Sequence, residues 1–406
     1  MHTRALWVLS AACCTAWNVA TLAAAQRLDP AEPAVINAGP QLKSTPSDNR
    51  AANVLSPDEW MHVDESVDMG LSWLASRQRP DGSFSSIDLG QPGVTGLCVL
   101  AFMAHGHIPG DGRYGTQLSR AIDYIASAQK SSGLIAVVGP DDRQRLRRVS
   151  HEVGVAAAYN HAISSLVLSE SYGMSDAART VKSRRAIDGA LAITLQMQRW
   201  PKDRAIDRGG WRYLHDYDDR DSDLSITGWH LMFLRSARNS GFEVPTEPID
   251  SAVAYIRRCY SQQYDTFEYV AGDRDGRDAR TRAMAGAGVL ALAHAGFHDS
   301  PEAQRAGAFI LKHKLARYNS QVQAWDHDRY HYSLFNCTQG MYQLGGRNWE
   351  AFFPIVVRTV LDNQQSDGSW PAESHHYDGQ FGNAYTTALA MLALGAPNQL
   401  LPIFQR

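Results

Sequence analysis

A dense run of acidic side chains is the first feature of this 406-residue chain that could do chemistry. The run contains Asp216, Asp218, Asp219, Asp221 and Asp223. Clustered carboxylates can supply a general acid, and they can also bind a metal ion or a basic ligand. Asp223 stands directly before an apolar segment, where a carboxylate favours the dipole of a helix. The run therefore predicts an acid-catalytic group, a binding site, or a solvated loop that ends in a helix cap.

Histidine and aromatic side chains form a second group of candidates. His327 and His331 are four residues apart, so one face of a helix could present both. Aromatic rings around a cavity can stabilise a carbocation or stack on a sugar ring, but they can also simply fill a core. The predicted ligand-binding residues are Trp211, Tyr213, Trp229, His161, Trp325, His331, Tyr332, Trp370 and Tyr385.

Helices of two alternating types must position these side chains. Amphipathic segments with one apolar stripe occur at 63–78, 118–129, 184–198, 249–263, 302–315 and 350–365. Segments that are apolar nearly all round, and hence buried, occur at 93–106, 159–173, 225–241, 281–296, 331–346 and 383–396. Ser56 and Glu59 form a capping-box pattern, which predicts that the first helix begins before residue 63.

The two helix types alternate six times, with a period of about 50–65 residues that indicates a repeat architecture. Six buried helices are all covered only if they close into a ring inside the amphipathic ones. The sequence therefore predicts an all-α (α/α)6 toroid over residues 56–400, with an open solenoid as the alternative. The long connections 79–93, 130–158, 199–224, 264–280, 316–330 and 366–382 then surround one mouth, where a site is expected.

A short motif occurs after the first and last amphipathic segments, as RQRPDGSF at 77–84 and NQQSDGSW at 363–370. Gln can cap a helix end, Asp-Gly-Ser makes a turn, and the aromatic residue is expected to pack against the next hairpin. This motif, followed by Gly-Val-Thr-Gly at 93–96, resembles the prenyltransferase and squalene-oxidase repeat. That repeat builds squalene–hopene cyclases, oxidosqualene cyclases and protein prenyltransferase β subunits. GGWRY and DSDLSITGWHLMFLRSAR, at 209–213 and 221–238, resemble an exported single-barrel bacterial branch.

The resemblance implies candidate roles for the acidic run. Squalene–hopene cyclases protonate their substrate with the central Asp of an Asp-x-Asp-Asp motif, which Asp218 matches here. In those enzymes the motif opens an inner helix, and Asp221 and Asp223 are better placed for that. The predicted catalytic residues are therefore Asp223, Asp221 and Asp218. Those cyclases also have a second barrel, for which this chain has no room.

The resemblance also bears on metal binding. Prenyltransferase β subunits hold zinc with Asp, Cys and His, so zinc through Asp223, His327 and His331 is the one cofactor alternative. The Asp-x-Cys pair of those subunits is replaced here by Asp221-x-Asp223. No cofactor is otherwise expected.

The N-terminus has the layout of a secretory signal. Arg4 is followed by an apolar segment that ends on small residues near Ala25. We expect a signal peptide at 1–25, with a retained anchor as the alternative, a flexible linker at 26–55 and a tail at 401–406. The protein is therefore predicted to be secreted or periplasmic, with membrane contact only through the signal or at the surface. A net charge of −3 does not indicate a nucleic-acid partner.

Three classes of function remain open at this stage. The first, which we favour, is a squalene-cyclase-like barrel that binds or processes a hydrophobic, terpenoid-like ligand. The second is a carbohydrate-active enzyme acting on a saccharide, which needs two carboxylates across the cavity; these would be Glu152 or Asp223 with Asp328 or Asp378. The third is a non-catalytic binding or scaffold barrel.

Overall fold

The computed structural model describes residues 53–214, 221–272, 280–318, 328–373 and 376–405, without the side chains of residues 376 and 377. The predicted signal peptide, most of the linker, Asp218, Trp325 and His327 lie outside these residues. None of the helices in the described part of the chain combines the length and the apolar character that a membrane crossing requires.

Six helical hairpins make up the fold. Their outer helices are α1 Pro57–Ser76, α3 Gly115–Ser127, α5 Ala177–Gln198, α7 Thr246–Arg258, α9 Pro301–Lys312 and α11 Gly346–Leu361. Their inner helices are α2 Gly93–Ala104, α4 His151–Glu170, α6 Leu224–Asn239, α8 Arg282–His294, α10 Tyr330–Leu344 and α13 Asn383–Leu394. A one-turn helix, α12 His376–Gly379, precedes α13, and two short antiparallel strands, β1 Tyr260–Ser261 and β2 Thr266–Phe267, follow α7.

The ring of hairpins closes. Each inner helix packs against the next one along the chain, and α13 packs against α2. Across the closing seam, Trp73 Nε1 donates to Asp367 Oδ2 at 2.9 Å, and Gln364 Nε2 donates to the Ser66 carbonyl oxygen at 2.9 Å. The predicted (α/α)6 toroid is therefore confirmed, and the open solenoid is excluded.

The glutamine–glycine motif links neighbouring outer helices. In four of the hairpins, a Gln side-chain amide donates to the carbonyl oxygen of the turn glycine and to a carbonyl oxygen of the adjacent outer helix. The four pairs are Gln78 with Gly82, Gln129 with Gly133, Gln198 with Gly209, and Gln364 with Gly368. Each of these glycines has a φ near +90°, where a side chain is strained. At Gly368, a Cβ would also lie 2.5 Å from the Met69 carbonyl oxygen.

The aromatic residue of the motif packs inward, with hydrogen bonds to its own hairpin rather than to the next one. Phe84, Trp211 and Trp370 are buried, and the backbone N–H of each donates to a threonine hydroxyl in the following inner helix. The connection after α7 differs, because β1 and β2 form a hairpin there that turns at Asp265, whose φ is +53°.

The capping box at the start of α1 is confirmed. Glu59 N donates to Ser56 Oγ at 3.2 Å, and Ser56 N donates to Glu59 Oε2 at 2.8 Å. One inner helix differs from its prediction, because α4 begins at His151 rather than at residue 159. Ser150 caps this earlier start by accepting from Val153 N, so the connection before α4 is shorter than expected.

The C-terminal residues close the end of the barrel opposite the long connections. Leu401, Ile403 and Phe404, in the segment predicted as a tail, are buried. Ile403 N donates to the Glu170 carboxylate at the end of α4, and Gln343 Nε2 donates to the Phe404 carbonyl oxygen at 2.6 Å. The barrel is thus sealed at this end.

Candidate ligand cavity

A cavity of about 460 Å³ occupies the barrel centre on the side of the long connections. Its walls come from the connections before α2, α6, α10 and α13 and from the N-terminal turns of all inner helices except α8. His151 and Glu152 on its rim are exposed, so the cavity opens to solvent there. The predicted position of the site, at the mouth made by the outer-to-inner connections, therefore coincides with this cavity.

Most of the cavity wall is aliphatic and aromatic. Its aliphatic members are Leu89, Val94, Leu97, Val155, Ala156, Ile163 and Leu389, and its aromatic members are Tyr159, Tyr213, Trp229, Tyr332, Phe381 and Tyr385. Pockets of this kind, largely apolar with a few placed polar groups, are typical of sites for small organic ligands.

The tyrosine hydroxyls on this wall hydrogen-bond to other side chains of the protein. Tyr159 and Tyr332 both hydrogen-bond to Ser225 Oγ, at 2.7 and 2.6 Å, and Trp229 Nε1 donates to the Tyr332 hydroxyl at 3.0 Å. The Tyr213 hydroxyl hydrogen-bonds to that of Tyr269. Because the hydroxyls are satisfied within the wall, the rings can present their faces to an apolar ligand.

One ion pair lies on the cavity wall. Arg329 Nη1 is 2.9 Å from Asp378 Oδ1, and the Tyr385 hydroxyl donates to Asp378 Oδ2 at 3.3 Å. The Asp378 side chain is 1% exposed, whereas that of Arg329 is 39% exposed. Burial raises the pKa of Asp378 above its ordinary value, and the Arg329 guanidinium opposes this shift. Asp378 and the exposed Glu152 are the carboxylates on the cavity wall among the described residues.

Five predicted ligand-binding residues do not line this cavity or cannot be placed. Trp211 and Trp370 belong to the glutamine–glycine motif, and their indole N–H groups donate to carbonyl oxygens of outer helices at 2.9 and 2.8 Å. His161 accepts from Ile135 N at 3.1 Å and hydrogen-bonds to Thr194 Oγ1 at 3.0 Å, so both ring nitrogens are used. Trp325 lies outside the described residues.

The fifth of these residues, His331, is buried beside the cavity. Its Nδ1 lies 2.6 Å from Glu373 Oε2, and its Nε2 lies 2.7 Å from the Tyr318 hydroxyl. Tyr213, Trp229, Tyr332 and Tyr385 do line the cavity, as expected. Four of the nine predicted ligand-binding residues are therefore brought together.

The two predicted catalytic aspartates that the structure describes, Asp223 and Asp221, do not line the cavity. Asp223 Oδ1 accepts from Ile226 N at 2.9 Å and so caps α6, while its Oδ2 lies 3.5 Å from Arg212 Nη1. Burial raises the pKa of Asp223 to about 6, and Arg212 opposes the shift. Asp221 Oδ2 accepts from Asp203 N at 2.8 Å, and its Oδ1 lies 3.6 Å from Arg147 Nη2. Both carboxylates hold local structure together.

The described part of the chain holds no group of three or more His, Cys, Asp or Glu side chains that could bind a metal ion. Of the predicted zinc set, His327 lies outside that part, Asp223 caps α6, and His331 is bonded to Glu373. The three described cysteines, Cys98, Cys259 and Cys337, are buried free thiols.

The most informative residues missed by sequence reasoning are Tyr159, Arg329 and Phe381. Tyr159 is on the third turn of α4, and its role is hidden if the helix is taken to begin at that residue. Arg329 directly precedes α10, and Phe381 lies two residues after α12 and two before α13. For Arg329 and Phe381 a usable signal was their position just before an inner helix, close to the criterion that selected Tyr332 and Tyr385.

Solved structures share this fold. The chain aligns with a variant of the type II terpene cyclase MstE from Scytonema in complex with its product, merosterolic acid A. The TM-score is 0.52 and the identity 14%, over 85% of this chain and 99% of that one. A second MstE variant, in complex with the substrate geranylgeranyl dihydroxybenzoate, aligns with a TM-score of 0.51 and 14% identity over 86% and 100% of the two chains.

A glycosidase aligns equally well, with a TM-score of 0.54 and 12% identity over 86% of this chain and 100% of that one. Neither a known sequence family nor a curated protein matches the chain. At these identities the alignments establish the architecture alone, an α/α toroid that a terpene cyclase and a glycosidase share.

Proposed function

We propose that the protein binds a small ligand with an apolar, terpenoid-like body in the central cavity. The observation that carries this proposal is the wall itself, where seven aliphatic and six aromatic side chains surround a volume of about 460 Å³. Burying apolar ligand surface against such a wall contributes about 25 cal/mol for each Å² removed from water. The MstE structures contain ligands of this chemical kind in a barrel of the same fold.

The polar groups near the mouth would orient the ligand. Arg329 is partly exposed and Asp378 is buried. The more accessible charge of this ion pair is therefore the positive guanidinium of Arg329. A ligand with a hydroxyl or carboxylate at one end would place that end beside Arg329 and its apolar body toward Leu97, Ile163 and Leu389. If the protein also protonates its ligand, Asp378 is better placed than Asp223 because it lines the cavity.

Binding is tested by isothermal titration calorimetry with farnesol and with maltotriose as the contrasting saccharide. We expect saturable one-to-one binding of farnesol and no heat from maltotriose. Native mass spectrometry of protein purified from its own host would identify a retained lipid. Saturable binding of maltotriose without binding of farnesol would contradict the proposal.

A glycosidase is the second candidate, since Glu152 and Asp378 lie on the wall of one cavity. The raised pKa of the buried Asp378 suits a general acid, and the exposed Glu152 could act as the base or nucleophile. Release of nitrophenol from aryl glycosides, abolished by both Glu152→Gln and Asp378→Asn, would support this reading. A barrel that neither binds prenols nor cleaves glycosides would be a scaffold.

We also propose that the protein is exported, on the strength of the N-terminal pattern alone. N-terminal sequencing of the mature protein from its own host tests this. Cleavage near Ala25 is expected, and a mature chain that begins at Met1 in the cytoplasm would contradict export.

A further inference from the structure

A buried glutamate, Glu373, lies outside the cavity lining but in the same connection as Asp378. Its Oε2 accepts from His331 N at 3.1 Å and lies 2.6 Å from His331 Nδ1. Because an ionised carboxylate can only accept hydrogen bonds, His331 Nδ1 carries the proton of this contact. The other ring nitrogen of His331 lies 2.7 Å from the Tyr318 hydroxyl. The imidazole is therefore held at both nitrogens.

The Glu373 carboxylate is ionised. Burial alone would raise its pKa, but the hydrogen bonds from the ring and the backbone of His331 outweigh burial and hold the pKa below its ordinary value. A buried charge of this kind is costly to separate from its partner. The contact between Glu373 and His331 is therefore a strong link between the two chain segments that carry them.

These two segments also carry the ion pair of the cavity wall. His331 follows Arg329 by two residues at the start of α10, and Glu373 precedes Asp378 by five residues. A second contact adds to the link, because a Cβ at Gly379 would lie 2.7 Å from the Glu373 carbonyl oxygen. The turn α12, which contains Asp378 and Gly379, thus packs directly against the Glu373 backbone.

We propose that Glu373 is a positioning residue that holds Asp378 beside Arg329 and so lowers the affinity of the cavity for a negatively charged ligand. This inference rests on the proposed function, because it concerns the polar end of the ligand. With the link intact, Asp378 lies 2.9 Å from Arg329 and balances its charge. With the link broken, Asp378 moves away, and the guanidinium can pair with a carboxylate of the ligand instead. Glu373 acts only through Asp378.

The test is calorimetric titration of farnesoic acid and of the uncharged farnesol into the full-length protein. Glu373→Ala breaks the link, so the affinity for farnesoic acid should rise about fivefold while that for farnesol stays within about twofold. Gly379→Ala pushes α12 away from the Glu373 backbone without changing any charge, and should raise the affinity for farnesoic acid about threefold. Gly379→Ala also covers the case in which Glu373→Ala does not fold.

A conservative variant separates position from charge. After burial and Arg329, the charge of Glu373 is the next influence on the pKa of Asp378, which it raises. Glu373→Gln loses this charge but keeps an acceptor oxygen for His331, so the affinity for farnesoic acid should stay within about twofold of wild type. Equal responses of Glu373→Gln and Glu373→Ala would mean that Glu373 acts through its charge, and would overturn the positioning role.

A double-mutant cycle tests whether Glu373 acts through Asp378. In an Asp378→Asn background, Glu373→Ala and Gly379→Ala should change the affinity for farnesoic acid by less than about twofold. The stability control is Glu170→Ala. Glu170 is also buried and accepts from Ser236 Oγ and Ile403 N, but at the sealed end of the barrel. Its loss should lower stability and leave the ratio of the two affinities unchanged.

The outcomes separate this inference from the proposed function. If both ligands bind the wild-type protein but the ratio of their affinities is the same in Glu373→Ala and Gly379→Ala, the positioning role is excluded and the proposed function stands. An undiminished effect of Glu373→Ala in the Asp378→Asn background would also exclude it. If neither ligand binds the wild-type protein, the proposed function fails, and the positioning role fails with it.

Discussion

Two buried aspartates near the starts of inner helices, Asp223 and Asp378, have different surroundings. Both are buried, both are near an arginine, and burial raises the pKa of each. Asp223 uses one oxygen to cap α6 and lies outside the cavity lining, whereas Asp378 precedes α13 and lies on the cavity wall. An aspartate at the start of an inner helix can therefore have a structural role or a role in the cavity. The hydrogen bonds and ion pairs of its carboxylate indicate which role it has.

The largest effect on stability is expected when the Asp223 side chain is removed. Asp223→Ala removes the cap of α6 and the ion pair with Arg212, so the free energy of unfolding should fall by about 3 kcal/mol. Asp223→Asn keeps a capping oxygen and should stay within about 1 kcal/mol of wild type. Urea denaturation monitored by circular dichroism measures both. An Asp223→Ala protein as stable as wild type would remove the structural role assigned to this residue.

The pH dependence of stability gives a second test of Asp223. Its native pKa of about 6 is above that of an unfolded Asp, near 3.9, so the native state binds the proton more tightly. Its contribution is therefore fully present below about pH 4 and is lost as the pH rises to about 6, by roughly 2–3 kcal/mol. Buried histidines with lowered pKa values, such as His161 and His294, act in the opposite direction by destabilising the native state in acid.

The contribution of Asp223 is isolated by subtraction. The unfolding free energy of wild type minus that of Asp223→Asn should decrease from pH 4 to pH 6 and then level off. The histidines are common to both proteins and cancel. A difference that is flat over this range would mean that the Asp223 carboxyl is not held in the protonated form by burial.

Asp378 should affect the preference for a negatively charged ligand over an uncharged one. In Asp378→Asn the Arg329 guanidinium is no longer balanced by this carboxylate, so the affinity for farnesoic acid should rise about tenfold. The affinity for the uncharged farnesol should change by less than about twofold. Asp223→Asn is the matched control, and should change neither affinity. Calorimetric titration of both ligands into the three proteins makes the measurement, and equal responses of the two variants would break the comparison.

The smallest effect is expected at Tyr385. Tyr385→Phe removes the 3.3 Å hydrogen bond to Asp378 but leaves the Arg329 pair and the ring on the cavity wall. The affinity for farnesol should therefore change by about twofold or less. A tenfold loss would indicate that the hydroxyl contacts the ligand directly.

The architecture could be predicted from the sequence because it follows from a repeated pattern. Alternation of amphipathic and buried helices, repeated six times, leaves few ways to cover every apolar face, and the ring is one of them. The glutamine–glycine motif was also identified from Gln78 and Gln364, but the pair of Gln198 with Gly209 has an insertion that obscures the spacing.

The site could be predicted only in part, because side-chain direction at a helix start is not encoded by its position in the sequence. Trp211 and Trp370 occupy the aromatic position of the glutamine–glycine motif. Because that position packs inside the protein, the motif itself is evidence against a ligand-binding role for either residue. Tyr159 was missed for a different reason. The first turns of α4, HEVGVAAA at 151–158, are too polar and small to be recognised as part of the buried helix. The acidic run was selected for its composition, but the two carboxylate oxygens of Asp223 cap α6 and pair with Arg212.

The central claim, that an apolar ligand occupies the barrel cavity, is tested most directly by filling the cavity. Ala156 is buried on the cavity wall, whereas Ala178 is exposed on α5. Calorimetric titration of farnesol should show at least about tenfold weaker binding to Ala156→Trp and unchanged binding to Ala178→Trp. Wild-type affinity in a folded Ala156→Trp protein would place the ligand elsewhere and contradict the account.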